Sequence, residues 1–391
     1  MSADDTYLAR LTPPATAAIA VLAMRGPKVW QVLEKTFRPN SNRNRFFEQL
    51  PSTAEPGQFW LGKMGESEKA GDDIVLSLKR QTPEPWVEIH CHGGLQVLAM
   101  LEELLSSHGV TVCPWPEFLR RSGAKPFAVS ALKALSKSTT RRTAGILLHQ
   151  YHGAFLREML AVKASLSAKN YEQANRQIQE LAQRIPLGRH LNAPWQVAVA
   201  GVPNVGKSSL INLLAGYQRS IVDATPGTTR DLVRVPVAID GWPVELTDTA
   251  GVRNEAGDLE QQGIDLAKQI AQQADLCLWL LDGSATPVLP DFELPSVVYL
   301  INKTDLPAGW DWQTQPDALR ISVTDKTGVD ALCDTISKRL VAEPPTAEAG
   351  VPFTEEDCQL TEQLWDRVIG GNYEEASKML DRWIKLSEPD L

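Results

Sequence analysis

Residues Gly201 to Ser209 read "GVPNVGKSS" and satisfy the pattern G-x-x-x-x-G-K-[ST]. An apolar run, "WQVAVAG", precedes them and a helix-forming run, "SSLINLLAG", follows. Glycines let a backbone wrap a phosphate, and successive N–H groups at a helix N-terminus bind its charge. The pattern therefore demands a strand, a tight loop and a helix in that order, which places the segment in an open α/β sheet. In such a loop Asn204, Val205, Gly206, Lys207, Ser208 and Ser209 line a nucleotide phosphate. Lys207 is expected to reach the outer phosphates, and the Ser208 hydroxyl to coordinate Mg2+.

The flanking sequence agrees. "LCLWLLDG", "SVVYLINKTD" and "LRISV" are short apolar runs suited to parallel strands buried on both faces. "VRVPVAIDGWPVELTDTAG" holds two alternating runs joined at Asp240-Gly241, a hairpin. A mixed, mostly parallel sheet with one antiparallel edge follows. Pro287, Pro290 and Pro295 predict that the usual crossover helix between Asp282 and Ser296 is reduced or absent.

Further chemistry-bearing residues fall at matching places. "DTAG" (Asp248, Thr249, Ala250, Gly251) closes a strand. There Asp248 is expected to hold Mg2+ through water, and the Gly251 N–H to meet a γ-phosphate. "NKTD" supplies Asn302, Lys303 and Asp305. The Asp305 carboxylate suits guanine, whose N1–H and exocyclic amine form a donor pair that adenine lacks. GTP or GDP is thus the expected ligand. Ser322, with Val323 and Thr324, lies where a loop completes such a base pocket. "DATPGTTRD" brings Asp223, Ala224, Thr225, Pro226, Gly227, Thr228 and Thr229 between the first helix and the hairpin. Thr229 is placed to close on Mg2+ when a γ-phosphate is present. One position is unexpected. Val252 follows "DTAG" where small GTPases carry a glutamine that holds the attacking water.

The rest of the chain sets the domain plan. Its 391 residues suggest two or three domains. Residues 1–118 carry the strand-like runs "AIAVLAM", "QFWLGKM", "DIVLSLK" and "WVEIHCH" and one amphipathic helix, "LQVLAMLEELLSSHG", an α+β domain. Residues 119–192 are strand-poor and helical, 193–343 form the phosphate-loop domain, and 344–391 begin with a linker and return to helix. No run approaches the roughly 18 apolar residues of a membrane span. The first residues have no signal-peptide character. Five scattered cysteines suit a reducing cytoplasm better than a disulfide framework.

Net charge is −9, which argues against a protein coated in nucleic acid. No acidic residue, however, lies between Phe118 and Arg157. Arg120, Arg121, Lys125, Lys133, Lys137, Arg141, Arg142 and Arg157 all do. They form either a phosphate-facing surface or a solvated face paired with acidic helices such as "FTEEDCQLTEQ".

These motifs resemble the bacterial tRNA-modification GTPases of the MnmE (TrmE) family. "GVPNVGKSSLINLLAG", "SIVDATPGTTRD", "DTAGVRN", "DLEQQGI" and "NKTD" carry the likeness, with "LTPP", "VEIHCHGG", "PEF" and "HGAF" outside the phosphate-loop domain. The resemblance implies a tetrahydrofolate-binding-like dimerisation domain at 1–118, then a helical domain interrupted by the GTPase domain. It implies a homodimer, tRNA as substrate and an FAD-dependent partner acting on the wobble uridine. It also answers Val252. Family members bind K+ beside the phosphates. Asn204 matches one ligand, and the loop with Asp223, Thr225 and Thr228 matches the source of the others. The family's water-positioning glutamate falls on Glu260, which with Lys207 and Thr229 makes up the expected catalytic set.

There are departures. The family's C-terminal Cys-x-Gly-Lys is not found in "IKLSEPDL", its Gly-Arg-Gly-Gly reads "ATAA", and its folate-contacting arginine falls on Ala23. Glu88 keeps the acidic position of that pocket. His90 and His92 share a strand face with Glu88, but a structural zinc site wants four ligands. A folate-pocket or structural role is therefore the better reading for them. Two functions remain open: a K+- and Mg2+-dependent GTPase of tRNA modification, or an RNA- or ribosome-associated regulatory GTPase that has lost modification.

Overall fold

The computed structural model describes residues 5–13, 15–40, 47, 53–66, 71–217, 234–249 and 260–387. The chain divides into two compact units, Met1–Val129 and Ser130–Leu391.

The first unit is a seven-stranded sheet in the order β3-β4-β5-β6-β2-β1-β7. Its strands are β1 (Thr6–Arg10), β2 (Ile19–Arg25), β3 (Phe37–Pro39), β4 (Phe59–Met64), β5 (Asp72–Arg80), β6 (Trp86–His92) and β7 (Val110–Val112). Period-2 alternation decides the faces. Ile74, Leu76 and Leu78 of β5 are buried with Val87, Ile89 and Cys91 of β6 and Leu22 and Met24 of β2. This face is covered by α1 (Val29–Thr36) and α2 (Leu95–Ser107), which contribute Leu33, Leu98, Leu101 and Leu105 to the core. The opposite face carries Ala9, Ala23 and Cys113 under Phe118 of α3 (Trp115–Arg121). Helix α1 is not anticipated from the sequence. Its eight residues make barely two turns, too few for the apolar period to stand out.

The second unit holds a six-stranded sheet in the order β13-β12-β11-β8-β10-β9. The strands are β8 (Trp195–Gly201), β9 (Arg234–Ile239), β10 (Trp242–Asp248), β11 (Leu276–Asp282), β12 (Val297–Asn302) and β13 (Leu319–Arg320). All neighbours run parallel except β9 and β10. The hairpin turns at Asp240 and Gly241, both at positive φ. The sheet is a mixed, mostly parallel one, as the runs imply.

The β11–β12 crossover, residues 283–296, contains no helix. Aromatic side chains cover the sheet there instead. Trp279 donates its indole N–H to the Val288 carbonyl at 2.9 Å and packs edge-on against Phe292. Trp279 and Phe292, with Trp310 and Trp312 packed against the same cluster, do in bulk what a helix normally does.

Helices flank this sheet in sequence. They are α4 (Pro126–Leu135), α5 (Arg141–Tyr151), α6 (Ala154–Ser167), α7 (Tyr171–Gln183), α8 (Ile185–Arg189), α9 (Lys207–Tyr217), α10 (Glu260–Gln273), α11 (Val329–Leu340), α12 (Glu355–Ile369) and α13 (Tyr373–Ser387). Helix α7 packs on α6 and α12, and α13 on α6. Residues 349–351 return the chain to this layer and are held by buried polar side chains. Gln150 donates to the Ala349 carbonyl at 3.1 Å and accepts from the Val351 and Phe155 N–H groups, each at 3.1 Å. Arg184 donates to both Glu158 oxygens at 3.0 and 2.8 Å and to the Gly350 carbonyl at 2.8 Å. Gln150 is fully buried, so these bonds remove the desolvation cost its amide would otherwise carry. A separate polar latch joins α5 to the hairpin. Arg142 donates to the Asp240 carboxylate at 2.6 Å and stacks over Trp242 at 4.2 Å, while the Ser337 hydroxyl also reaches Asp240 at 2.8 Å.

Helix α12 begins at a side-chain cap. Its N-cap Thr354 hydroxyl accepts from the Asp357 N–H at 3.0 Å. Burial pushes the Asp357 carboxyl from an ordinary 3.8 up to about 6, only partly opposed by bonds from Thr354 and Trp383. A raised folded-state pKa gives stability that is present in acid and lost as pH rises through the folded value. The difference between 3.8 and about 6 corresponds to about 3 kcal/mol. Stability measured by denaturant should therefore carry a declining contribution from pH 4 to 7, and Asp357→Asn should remove that slope. A variant with an unchanged pH profile would show that the carboxylate is solvated.

Candidate nucleotide site

The site forms at the carboxyl ends of β8, β10 and β12. Strand β8 is buried almost throughout, which fixes where its loop begins. Asn204 then takes φ +63° and Gly206 φ +104°. A Cβ at Gly206 would lie 2.4 Å from the Asn302 amide nitrogen, so glycine alone allows this approach. Asn302 uses the closeness. Its amide donates to the Val205 carbonyl at 2.8 Å, and its oxygen accepts from the Val323 N–H at 3.2 Å. One buried side chain thus joins the phosphate loop, "NKTD" and the "SVT" loop.

Lys207 opens α9 and is buried, with its ammonium 3.0 Å from the Gly201 carbonyl and 2.8 Å from that of Val202. The Ser208 hydroxyl donates to Asp248 at 2.6 Å. Thr249 is anchored through its own hydroxyl to the Val199 carbonyl at 3.0 Å. At the other end, the Ser322 hydroxyl donates to one Asp305 oxygen at 2.6 Å and itself accepts from the Asp325 N–H at 3.0 Å. Asp305 itself is exposed. Lys303 has φ +65°, and its ammonium lies 2.5 Å from Asp282. Ser209 and Thr324 are exposed beside these residues.

Of the residues singled out in the sequence, Asn204, Val205, Gly206, Lys207, Ser208, Ser209, Asp248, Thr249, Asn302, Lys303, Asp305, Ser322, Val323 and Thr324 are thus described, and the bonds above link most of them. Asp223 to Thr229, Ala250 and Gly251 lie outside the described residues. Glu260 is the first residue of α10, but its side chain also lies outside them. Asp282 is a member of the site that the motifs do not announce. "DGS" offers a faint hint, since an aspartate two residues before a serine is a turn former.

In the first unit, Glu88 pairs with Lys79 and His90, each at 3.6 Å. His92 binds Asp72 at 2.6 Å, and no group of metal-ligating residues occurs among the described residues. Ala23 pairs with Glu88 across the strands but is fully buried with Ala9, Cys113 and Phe118. A reduced folate, with its glutamate tail and polar pterin, does not fit this set. The Glu88 charge is already answered, and a methyl group stands where a donor is needed. All five cysteines are free and buried, and burial raises the thiols of Cys91 and Cys333 to about 11 and of Cys277 and Cys358 to about 12.

Several known proteins and family models are similar to this chain. Residues 196–303 match the family model described as "50S ribosome-binding GTPase", and residues 6–125 match "GTP-binding protein TrmE N-terminus". The "tRNA modification GTPase MnmE" of Phenylobacterium zucineum is 32% identical over 88% of this chain and 85% of its own. The protein of the same name from Thermus thermophilus is 28% identical over 87% and 84%. Among solved structures, the G domain of the T. maritima FeoB iron transporter covers 37% of this chain and 98% of that one, at 22% identity and TM-score 0.28. The identity and coverage shared with the first of these relatives establish that the chain belongs to the tRNA modification GTPase MnmE family.

Proposed function

We propose that this chain is a GTP-hydrolysing switch that depends on Mg2+ and K+ and acts in tRNA modification. A GTPase domain at 193–343 is inserted between helical parts at 119–192 and 344–391, behind the α+β domain at 1–118. The observation that carries the reading is the pair at the two ends of one site: Ser208 on Asp248 and Ser322 on Asp305, each at 2.6 Å. The first pair offers two hard oxygen donors, which suit Mg2+. Mg2+ held there would offset charge on the outer phosphates. The second leaves a carboxylate oriented toward a guanine edge. Lys207 binds phosphate, and Thr229 and Glu260 are assigned to γ-phosphate sensing and water orientation.

The exposed Asn204 oxygen suits a monovalent cation, with Asp223, Thr225 and Thr228 as the remaining ligands. An arginine finger contributes about 10³ to 10⁵ in rate, and the cation must supply part of that. GTP turnover should be at least about tenfold faster in K+ than in Na+ at equal ionic strength, with GDP affinity little changed. Equal turnover in the two salts overturns the K+ assignment.

The acid-free stretch supports an RNA partner. Arg121 is engaged by Glu117 and Tyr7, Arg142 by Asp240, and Arg157 by the His152 carbonyl. Lys133, Lys137 and Arg141, around the α4–α5 turn, are exposed. Among the described residues they make no ion pair. Replacing all three by alanine should flatten the dependence of log K on log salt for tRNA by about 2–3, since each phosphate contact contributes about 0.7–0.9. Basal GTPase turnover should stay as it is. A slope equal to wild type places the RNA elsewhere.

Ile19, Phe59 and Leu61 are 62%, 66% and 55% exposed on the sheet face that carries Glu88 and His90, which supports a homodimer through the first unit. An FAD-dependent modification partner follows from family resemblance, as does a cytoplasmic setting. No described helix is long and apolar enough to cross a membrane. The buried cysteines favour a second reading, an RNA- or ribosome-associated regulatory GTPase without modification chemistry, because none presents a ready thiolate. Cells lacking the chain separate the two. Loss of a wobble-uridine modification supports the first reading, and its retention supports the second.

A further inference from the structure

We infer that Asp282 is a positioning residue of the guanine pocket, which holds the Lys303 ammonium away from Asp305 and so keeps that carboxylate available to the base. The inference rests on reading "NKTD" as the guanine site. Lys303 and Asp305 are two residues apart, and a lysine stem is long and flexible. Left alone, the ammonium would be drawn to the nearest carboxylate. An Asp305–Lys303 pair would occupy the acceptor that guanine N1–H and the exocyclic amine need.

The structure sends the ammonium elsewhere. Asp282 Oδ2 lies 2.5 Å from Lys303 Nζ, and the two side chains are only 15% and 31% exposed. Asp282 Oδ1 is turned the other way by the Ser284 N–H at 2.9 Å and hydroxyl at 2.7 Å. The backbone beneath is equally fixed. The Asp282 carbonyl accepts from the Trp310 indole at 2.8 Å, and the Gly283 carbonyl from the Trp312 indole at 3.1 Å. The Gly283 N–H donates to the Asn302 carbonyl at 2.8 Å, which ties this turn to the residue before Lys303. Burial opposes the Asp282 charge, but bonds from Lys303 and Ser284 outweigh it and hold the carboxyl below its ordinary value. Among the described residues, Asp305 accepts the Ser322 hydroxyl and makes no ion pair. Pinned in this way, Lys303 presents its methylene stem to a base rather than its charge.

A double-mutant cycle in the full chain decides it, read by fluorescence titration with methylanthraniloyl-GDP in Mg2+. Asp282→Ala should weaken binding about tenfold or more, the effect of one charge-assisted bond. It should raise KM for GTP while kcat at saturation stays unchanged. In a Lys303→Met background, which has no ammonium to restrain, the same replacement should change the dissociation constant less than about twofold, within the scatter of additive sites. An equal loss in both backgrounds would overturn the inference, because Asp282 would then be a prop for the turn. Wild-type protein that binds the adenine analogue as well as the guanine one would refute the guanine-site reading itself, a separate failure.

Discussion

Asp305→Asn should convert the site from guanine to xanthine nucleotides. The Asp305 carboxylate is exposed and held by Ser322 at 2.6 Å, so the amide inherits its orientation. Guanine offers N1–H and an amine, and the asparagine NH2 would face that amine donor to donor. Xanthine has a carbonyl there, which the NH2 can bond. Losing the charge-assisted bond to the amine and opposing two donors there costs about 3–6 kcal/mol, or about 10² to 10⁴ in affinity for GTP. Competition titrations with GTP and XTP measure both sides. A variant that loses GTP without gaining XTP would mean that the asparagine rotates away from the base. Preserved GTP affinity would remove Asp305 from the pocket.

Gly188→Ala should be the most destabilising single methyl group in the helical layer. A Cβ there would lie 1.9 Å from the Pro352 carbonyl and 3.5 Å from the Cys358 sulfur. The clash is with the Pro352 backbone, which cannot swing aside as a side chain can, so α8 and residues 349–353 must separate. The expected loss is about 3 kcal/mol or more, at the upper end of overpacking effects. Gly145→Ala in α5 provides the contrast, because a Cβ there meets nothing within 4 Å. That change should stabilise the protein by about 0.4–1 kcal/mol by restricting the unfolded chain. Denaturant midpoints of the two variants should move in opposite directions. A Gly188→Ala midpoint within error of wild type would show that this layer packs more loosely than described.

What could be read in advance depended on how far apart the partners are. The phosphate loop, the Asp240-Gly241 hairpin and the prolines of the β11–β12 crossover each announce themselves within about ten residues, because the chemistry is local. Helix α1 escaped for lack of length, and β1 and β7 for lack of alternation in short segments. The "NKTD" aspartate was legible, but its lysine's partner was not. Asp282 lies 21 positions away and meets Lys303 only once β11 and β12 pair. Gln150 and Ala349 are 199 positions apart, and nothing in either stretch points to the other. The tryptophans were legible as bulk. That three of them spend their indole N–H groups on carbonyls at the end of β11 and in the crossover after it depends on where the folded loops come to lie.

Among the described residues, three of the places where the nucleotide sheet meets the helical layer stand out. Two are stretches of the chain itself, the approach from α8 into β8 and the return through residues 349–351 gripped by Gln150 and Arg184. The third is the Arg142–Asp240–Ser337 latch on the hairpin. A body pinned at two points swings about the line that joins them, and a third contact off that line arrests the swing. Of the three, the latch alone can open without parting the chain. That latch lies on the hairpin whose second strand ends at Asp248, the residue paired with Ser208.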